Sequence, residues 1–76
     1  MIEKDVPIIP AMLVRHDEGL LYEVDDVRRS TVSYEETHVI GGKVVNYTQL
    51  DDGEFPAGTR WQKDEDGFRK HFTVEG

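Results

Sequence analysis

The sequence predicts a mainly β fold: a small barrel of about five short strands with one short helical turn near the C-terminus. Three observations carry this. Val is the commonest apolar residue, with nine copies against four Leu and four Ile. Such β-branched side chains fit a pleated sheet and lose rotamer freedom in a helix. Turn residues punctuate the chain at short intervals, at Gly19, Gly41-Gly42, Asp51-Asp52-Gly53 and Pro56-Ala57-Gly58. Finally, Val44–Trp61 reads as a strand, an acidic Gly turn, a Pro-Gly turn and a strand bearing the only Trp. Curling such a sheet limits the exposed edges that a short β chain must manage.

Taken in order, residues 1–10 form an extended arm, and residues 11–76 form one small barrel domain. Pro7 and Pro10 hold their predecessors extended and remove backbone donors. Ile8-Ile9 between them either docks onto the body or frays. Ala11–Arg15 is apolar and extended, and His16–Gly19 is a tight connection. Leu20–Val24 is a strand, with Leu20, Tyr22 and Val24 on one face and Leu21 and Glu23 on the other. The next apolar residue is Val27, so the alternation slips and Asp25-Asp26 is a candidate bulge.

Val27–Tyr34 includes the polar run Arg28-Arg29-Ser30-Thr31, after which Val32 and Tyr34 restart a period of two reaching Val39-Ile40. Gly41-Gly42 is the strongest hairpin signal, because Gly takes positive φ freely. Lys43–Leu50 returns as a strand, with Val45 and Tyr47 on one face. Phe55–Gly58 fits a type I turn with Pro second and Gly fourth. Thr59–Gln62 is a short strand. Asp64 caps one or two helical turns that open with Glu65 and Asp66 and close with Arg69, Lys70 and His71, complementing the helix dipole. Phe68 and Phe72 lie four apart and face the barrel together. Gly67 weakens the helix, so a single 3₁₀ turn is an alternative. Thr73-Val74 is a closing strand.

Composition excludes several function classes. The chain has 76 residues, no Cys and a net charge of −7. Thiolate metal sites, disulfide staples and a Cys nucleophile are absent by composition. Lack of disulfides in so small a chain favours a cytoplasmic setting, in a bacterium or a phage-infected cell. No apolar run reaches the roughly 18 residues that span a bilayer, and Met1–Asp5 lacks the basic head and apolar stretch of a signal peptide. The acidity disfavours phosphate backbones and anionic membranes.

Val14-Arg15-His16, Gly19, Leu21-Tyr22-Glu23-Val24 and Val27, followed by Val44-Val45-Asn46-Tyr47, Trp61 and Phe68, carry a resemblance. The pattern resembles a small bacterial domain family of unknown function whose members run R-H-x-x-G-x-x-Y-E-V, V-V-x-Y, Trp and Phe. The likeness covers roughly 14–72 and implies an SH3-like barrel, with no activity attached. Lys63-Asp64 stands where the family has a basic-proline dipeptide, and the Asp51–Gly58 loop is long for it.

No catalytic, cofactor or metal site is expected. His16-Asp17-Glu18 and Asp51-Asp52-Glu54 are the nearest to metal sets, but neither has the ligand spacing of a calcium loop or a zinc site. Ser30 and Ser33 lack a nucleophile-elbow context. Gly41-Gly42-Lys43 lacks Walker spacing. A barrel this small leaves little room for a catalytic cleft.

The expected function is a non-catalytic protein-interaction module whose partner is another protein, possibly a basic one. Its face comprises Asp51, Asp52, Glu54, Phe55 and Tyr47, with Phe55 the exposed aromatic and Tyr22 and Trp61 in the core. One alternative is an acidic phage-type inhibitor that mimics nucleic acid. Another is a nucleic-acid-binding barrel using Arg28, Arg29, Lys43, Arg60, Arg69 and Lys70 with the aromatics.

Overall fold

A computed structural model describes residues 1–29 and 42–75. The strands are β1 (Leu13–His16), β2 (Leu21–Arg29), β3 (Lys43–Gln49), β4 (Arg60–Asp64) and β5 (Phe72–Val74), and helix α1 (Glu65–His71) lies between the last two. They form one five-stranded antiparallel sheet in the order β4-β3-β2-β1-β5. The expected strand over 32–40 and its Gly41-Gly42 turn lie largely outside the described residues. The returning strand β3 is present, and its partners are β2 and β4.

The slip in the β2 alternation is a bulge. Val24 pairs with Tyr47, and Asp26 pairs with the adjacent Asn46, so Asp25 is the extra residue. That insertion brings Val27 opposite the fully buried Val45 and returns it to the concave face. Without the bulge, a spacing of three would turn Val27 outward.

The concave face holds the core. Val14, Tyr22, Val24, Val45 and Tyr47 come from three neighbouring strands, and Ile2, Phe68 and Phe72 cover them. The rings of Phe68 and Phe72 stack with centroids 4.4 Å apart. Phe72 also stands edge-on to Tyr22 at 5.4 Å, Tyr47 at 5.2 Å and His16 at 4.9 Å. Burying each Phe ring stabilises the fold by roughly 1.5–3 kcal/mol.

The helix is a seven-residue α-helix rather than a single 3₁₀ turn. Asp64 is its N-cap and accepts from the Gly67 N–H at 3.0 Å. A Cβ on Gly67 would sit 2.9 Å from the Asp64 carboxylate. The glycine that lowers helix propensity is therefore also the residue that leaves room for the cap.

Residues 1–10 lie against the body, chiefly through Ile2, with Val6 and Ile8 packed at the core margin and Ile9 outside. Ile2 enters the core and its N–H donates to the Arg69 carbonyl at 2.7 Å. Arg69 is the clamp, donating from one guanidinium nitrogen to the carbonyls of Glu3 (2.5 Å) and Val6 (2.7 Å) and from Nε to Glu65 (2.8 Å). Ile8 packs at the core margin, whereas Ile9 is 54% exposed. A turn closed by Val6 N–H to Glu3 O lets the segment fold back, so Ile2 is the residue that reaches the core.

Two further turns differ in detail from expectation. The Pro-Gly turn spans Pro56–Thr59 instead of Phe55–Gly58, with Thr59 N–H donating to Pro56 O at 3.2 Å. Gly58 is its third residue and has φ +95°, as a type II turn requires. Ile9–Met12 repeats the arrangement with Pro10 second, but the third residue is Ala11 at φ +69°. A left-handed alanine costs about 1–2 kcal/mol that glycine does not incur. Ala11→Gly is accordingly expected to stabilise the protein by up to about 1 kcal/mol, after the glycine's greater unfolded-state entropy is subtracted. A urea titration showing an unchanged or lower midpoint would refute this account of the turn.

Candidate functional site

The strongest candidate is a groove of about 470 Å³ at the open end of the concave face. His16, Glu18 and Leu20 from the β1–β2 turn form one wall. Glu54 and Phe55 from the β3–β4 loop, with Trp61 and Lys63 of β4, form the other. Tyr22, Tyr47 and Phe72 lie between them.

Gln49 builds the second wall. It lies in phase with Val45 and Tyr47 on β3 and is 1% exposed. Its amide nitrogen donates to the carbonyls of Asp51 (2.8 Å) and Phe55 (2.6 Å), and its oxygen accepts from the Trp61 indole N–H (3.1 Å). One buried amide therefore holds both ends of a loop segment and orients the only Trp. Asp51 accepts from Leu21 N–H at 3.0 Å, and Asp52 accepts from Ala57 N–H at 2.8 Å, which ties the loop to β2 and to itself. Gly53 packs so tightly on Leu20 that a Cβ there would come within 2.8 Å of Leu20 Cδ1.

With its carbonyl fixed, Phe55 projects outward. It is 46% exposed and stands edge-to-face with Trp61, centroids 5.1 Å apart at 81°. Across the groove, His16 Nδ1 accepts from Glu18 N–H at 3.0 Å, and the ring rests on Phe72. The turn beneath is closed by His16 N–H to Leu20 O, with Gly19 at φ +102°. Arg15 braces that turn through Gly19 O (2.7 Å) and pairs with Glu75. The shared hydrogen bond and charge raise the Arg15 pKa and lower that of Glu75.

The residues expected on an interaction face therefore have different positions. Glu54 and Phe55 are at the mouth of the groove. Asp51 and Asp52 are exposed but engaged with backbone donors. Tyr47 is 5% exposed and belongs to the core, where burial pushes its phenol up to about 12. Tyr22 is buried as expected, and its phenol is raised first by burial and then by the Glu18 charge. Trp61 is half-buried at the core margin.

Other sequence candidates do not converge. Among the described residues no group of three His, Asp or Glu side chains could hold a metal ion. Asp17 pairs with His71 at 3.2 Å. Ser30 and Ser33 lie outside the described residues, as do His38 and Tyr34. Arg29 stands opposite Lys43 on the β2–β3 ladder, and Arg28 and Arg60 line one hollow with Asp25 and Asp26, while Arg28 pairs with Asp26, Arg69 pairs with Glu65 and Lys70 is on the helix. Asp25 accepts from Thr48, and Asp26 also accepts from Asn46. These carboxylates thus serve local contacts. No described helix is long and apolar enough to cross a membrane.

Gln49, Arg69 and His16 were not anticipated in these roles. Gln49 carried a readable signal, as a polar residue continuing the buried phase of Val45 and Tyr47. Arg69 carried none, since its carbonyl partners lie more than 60 residues away.

No protein-family model, curated protein or solved structure matches the chain. The likeness drawn from Val14–Phe72 rests on its own motifs.

Two outcomes follow from this geometry. Gln49→Leu leaves the Trp61 indole N–H and two carbonyls without their partner, at roughly 1–3 kcal/mol for each group that water cannot reach. Urea denaturation is expected to show a loss of at least about 1 kcal/mol, with red-shifted Trp61 emission; wild-type stability and emission would remove Gln49 from its central role. Tyr47 gives a pH signature. Its folded pKa of about 12 exceeds the ordinary 10.0, so the native state retains a proton that the unfolded chain releases. The stabilisation is complete below pH 10 and is lost as pH rises towards 12, with a slope approaching about 1.4 kcal/mol per pH unit. Tyr47→Phe is expected to flatten that alkaline decline; an unaltered slope contradicts the assignment.

Proposed function

We propose that the protein is a non-catalytic protein-interaction module of SH3-like form, which takes an extended, proline-containing peptide with a basic residue into the groove. The observation carrying this reading is the exposed Phe55 ring held perpendicular to Trp61 above a groove lined by aromatic side chains. Ring-lined grooves accept polyproline segments because the ligand is already extended and loses little conformational entropy. Glu18 and Glu54 on opposite walls supply the charge that a Lys or Arg beside the proline would meet.

Support for an SH3-like form comes from the Asp25 bulge, which sharpens the curl of β2, and from a helix between β4 and β5 that fills the concave face. The acidic-inhibitor reading needs a contiguous face of free carboxylates; Asp17, Asp25, Asp26, Asp51 and Asp52 are instead engaged in local hydrogen bonds and ion pairs, which weakens it. The nucleic-acid reading has Arg28, Arg29, Lys43 and Arg60 on neighbouring strands, but Asp25 and Asp26 stand beside them and Asp26 pairs with Arg28, which sets negative charge where a phosphate would bind.

The test is a binding array of proline-rich basic peptides with isothermal titration of the best ligand. Phe55→Ala is expected to weaken binding about tenfold, the loss of more than 1 kcal/mol typical of a buried aromatic anchor. Glu54→Gln should weaken it less, and more so at low salt. No peptide bound by wild type, or equal binding by Phe55→Ala, overturns the proposal.

A further inference from the structure

We propose that β4 is a self-recognition edge: two copies of the chain pair antiparallel through Arg60–Asp64, centred on Gln62. Gln49 N–H donates to Thr59 O at 2.8 Å, and Gly58 N–H donates to Gln49 O at 2.7 Å. Gln49 therefore directs its backbone towards β4, whereas Leu50 N–H donates to Leu21 O on the β2 side. Antiparallel ladders alternate, so Tyr47 and Val45 also face β4, and their partners Trp61 and Lys63 face back towards β3. The N–H and C=O groups of Arg60 and Gln62 and the N–H of Asp64 then point to the outer edge, while the Asp64 carbonyl, at the helix N-cap, accepts the first bond of α1. Among the described residues no strand covers that edge, because β4 ends the sheet.

The side chains select the occupant. In the sequence Arg-Trp-Gln-Lys-Asp, antiparallel pairing about Gln62 sets Arg60 against Asp64 of the second copy at both ends. It sets Trp61 against Lys63 and Gln62 against itself. Arg60, Gln62 and Asp64 lie on the exposed face, and Trp61 and Lys63 on the half-buried one. Each Arg60 would also approach the acidic first turn of the other copy's α1, at Glu65 and Asp66.

Lys63 makes the register specific. A lysine directed inward on an edge strand ordinarily blocks pairing, because covering its ammonium without a partner is costly. Only the Gln62-centred register puts that ammonium opposite an indole. The Trp61–Lys63 pair falls at a non-hydrogen-bonded position, where opposite side chains are closest and a cation–π contact is available. An arbitrary strand would meet the lysine, whereas a second copy satisfies it.

A five-residue strand pair is a small interface, so the dimer exchanges rapidly, with a dissociation constant on the order of 100 μM. Sedimentation equilibrium from about 10 μM to about 1 mM is expected to show a monomer–dimer transition around that constant. Arg60→Glu places like charges opposite Asp64 at both ends and is expected to raise the constant at least about tenfold. Arg60 is exposed, so circular dichroism should match wild type. The absence of native Cys permits a register test. Gln62→Cys juxtaposes two thiols on opposed residues and should give a disulfide-linked dimer under mild oxidation, while Lys70→Cys should not. A monomer at all concentrations, a dimer indifferent to Arg60→Glu, or equal cross-linking at the two positions would sink the proposal.

Discussion

The stacked pair Phe68 and Phe72 is the contact on which the rest of the structure depends. A single curled sheet has one apolar face, and with no second sheet something else must cover it. Here a seven-residue helix and its C-cap do so with two rings, Phe68 and Phe72. Phe72 is at once the helix C-cap, the first residue of β5 and the neighbour of Tyr22, Tyr47 and His16. Helix end, strand pairing and aromatic packing are therefore one feature. The N-terminal segment completes the cover, through Ile2 and the carbonyls gathered by Arg69.

The same economy governs the groove. A domain this small buries a modest share of its surface, and an irregular loop such as 50–58 has few apolar contacts to hold it. Gln49 solves the problem with hydrogen bonds. A buried amide with all of its partners in place fixes a loop more sharply than apolar packing, because each bond has a direction. The loop is thus a shaped wall rather than a tether. A rigid wall suits recognition of an extended peptide, since little ordering accompanies binding.

Much of the fold was legible in local chemistry. The valine-rich alternation, the slip at Asp25-Asp26, the Asp64 cap and the Phe68–Phe72 spacing each depend on residues within a few positions of one another. The exposed Phe55 and buried Tyr22 were equally readable, one beside a proline in a turn and the other within an alternating strand. Gln49 is intermediate: its phase was visible, but its partners were not. Tyr47 shares the phase of Val45, so its burial was readable from the strand, whereas its place beneath the groove was not.

From its residues alone, the chain settles that it is a turn-punctuated β sheet finished by a capped helix, because period, caps and turn chemistry act over one or two turns of backbone. Tertiary structure alone decided that Ile2 enters the core while Ile8 stays at its margin, that Arg69 clamps the N-terminal segment, and that the Asp51–Gly58 loop and the His16–Leu20 turn face each other across a groove. Those contacts join residues 30 or more positions apart, and more than 60 for the Arg69 clamp. They follow from strand order and register, which set side by side residues that no local pattern links.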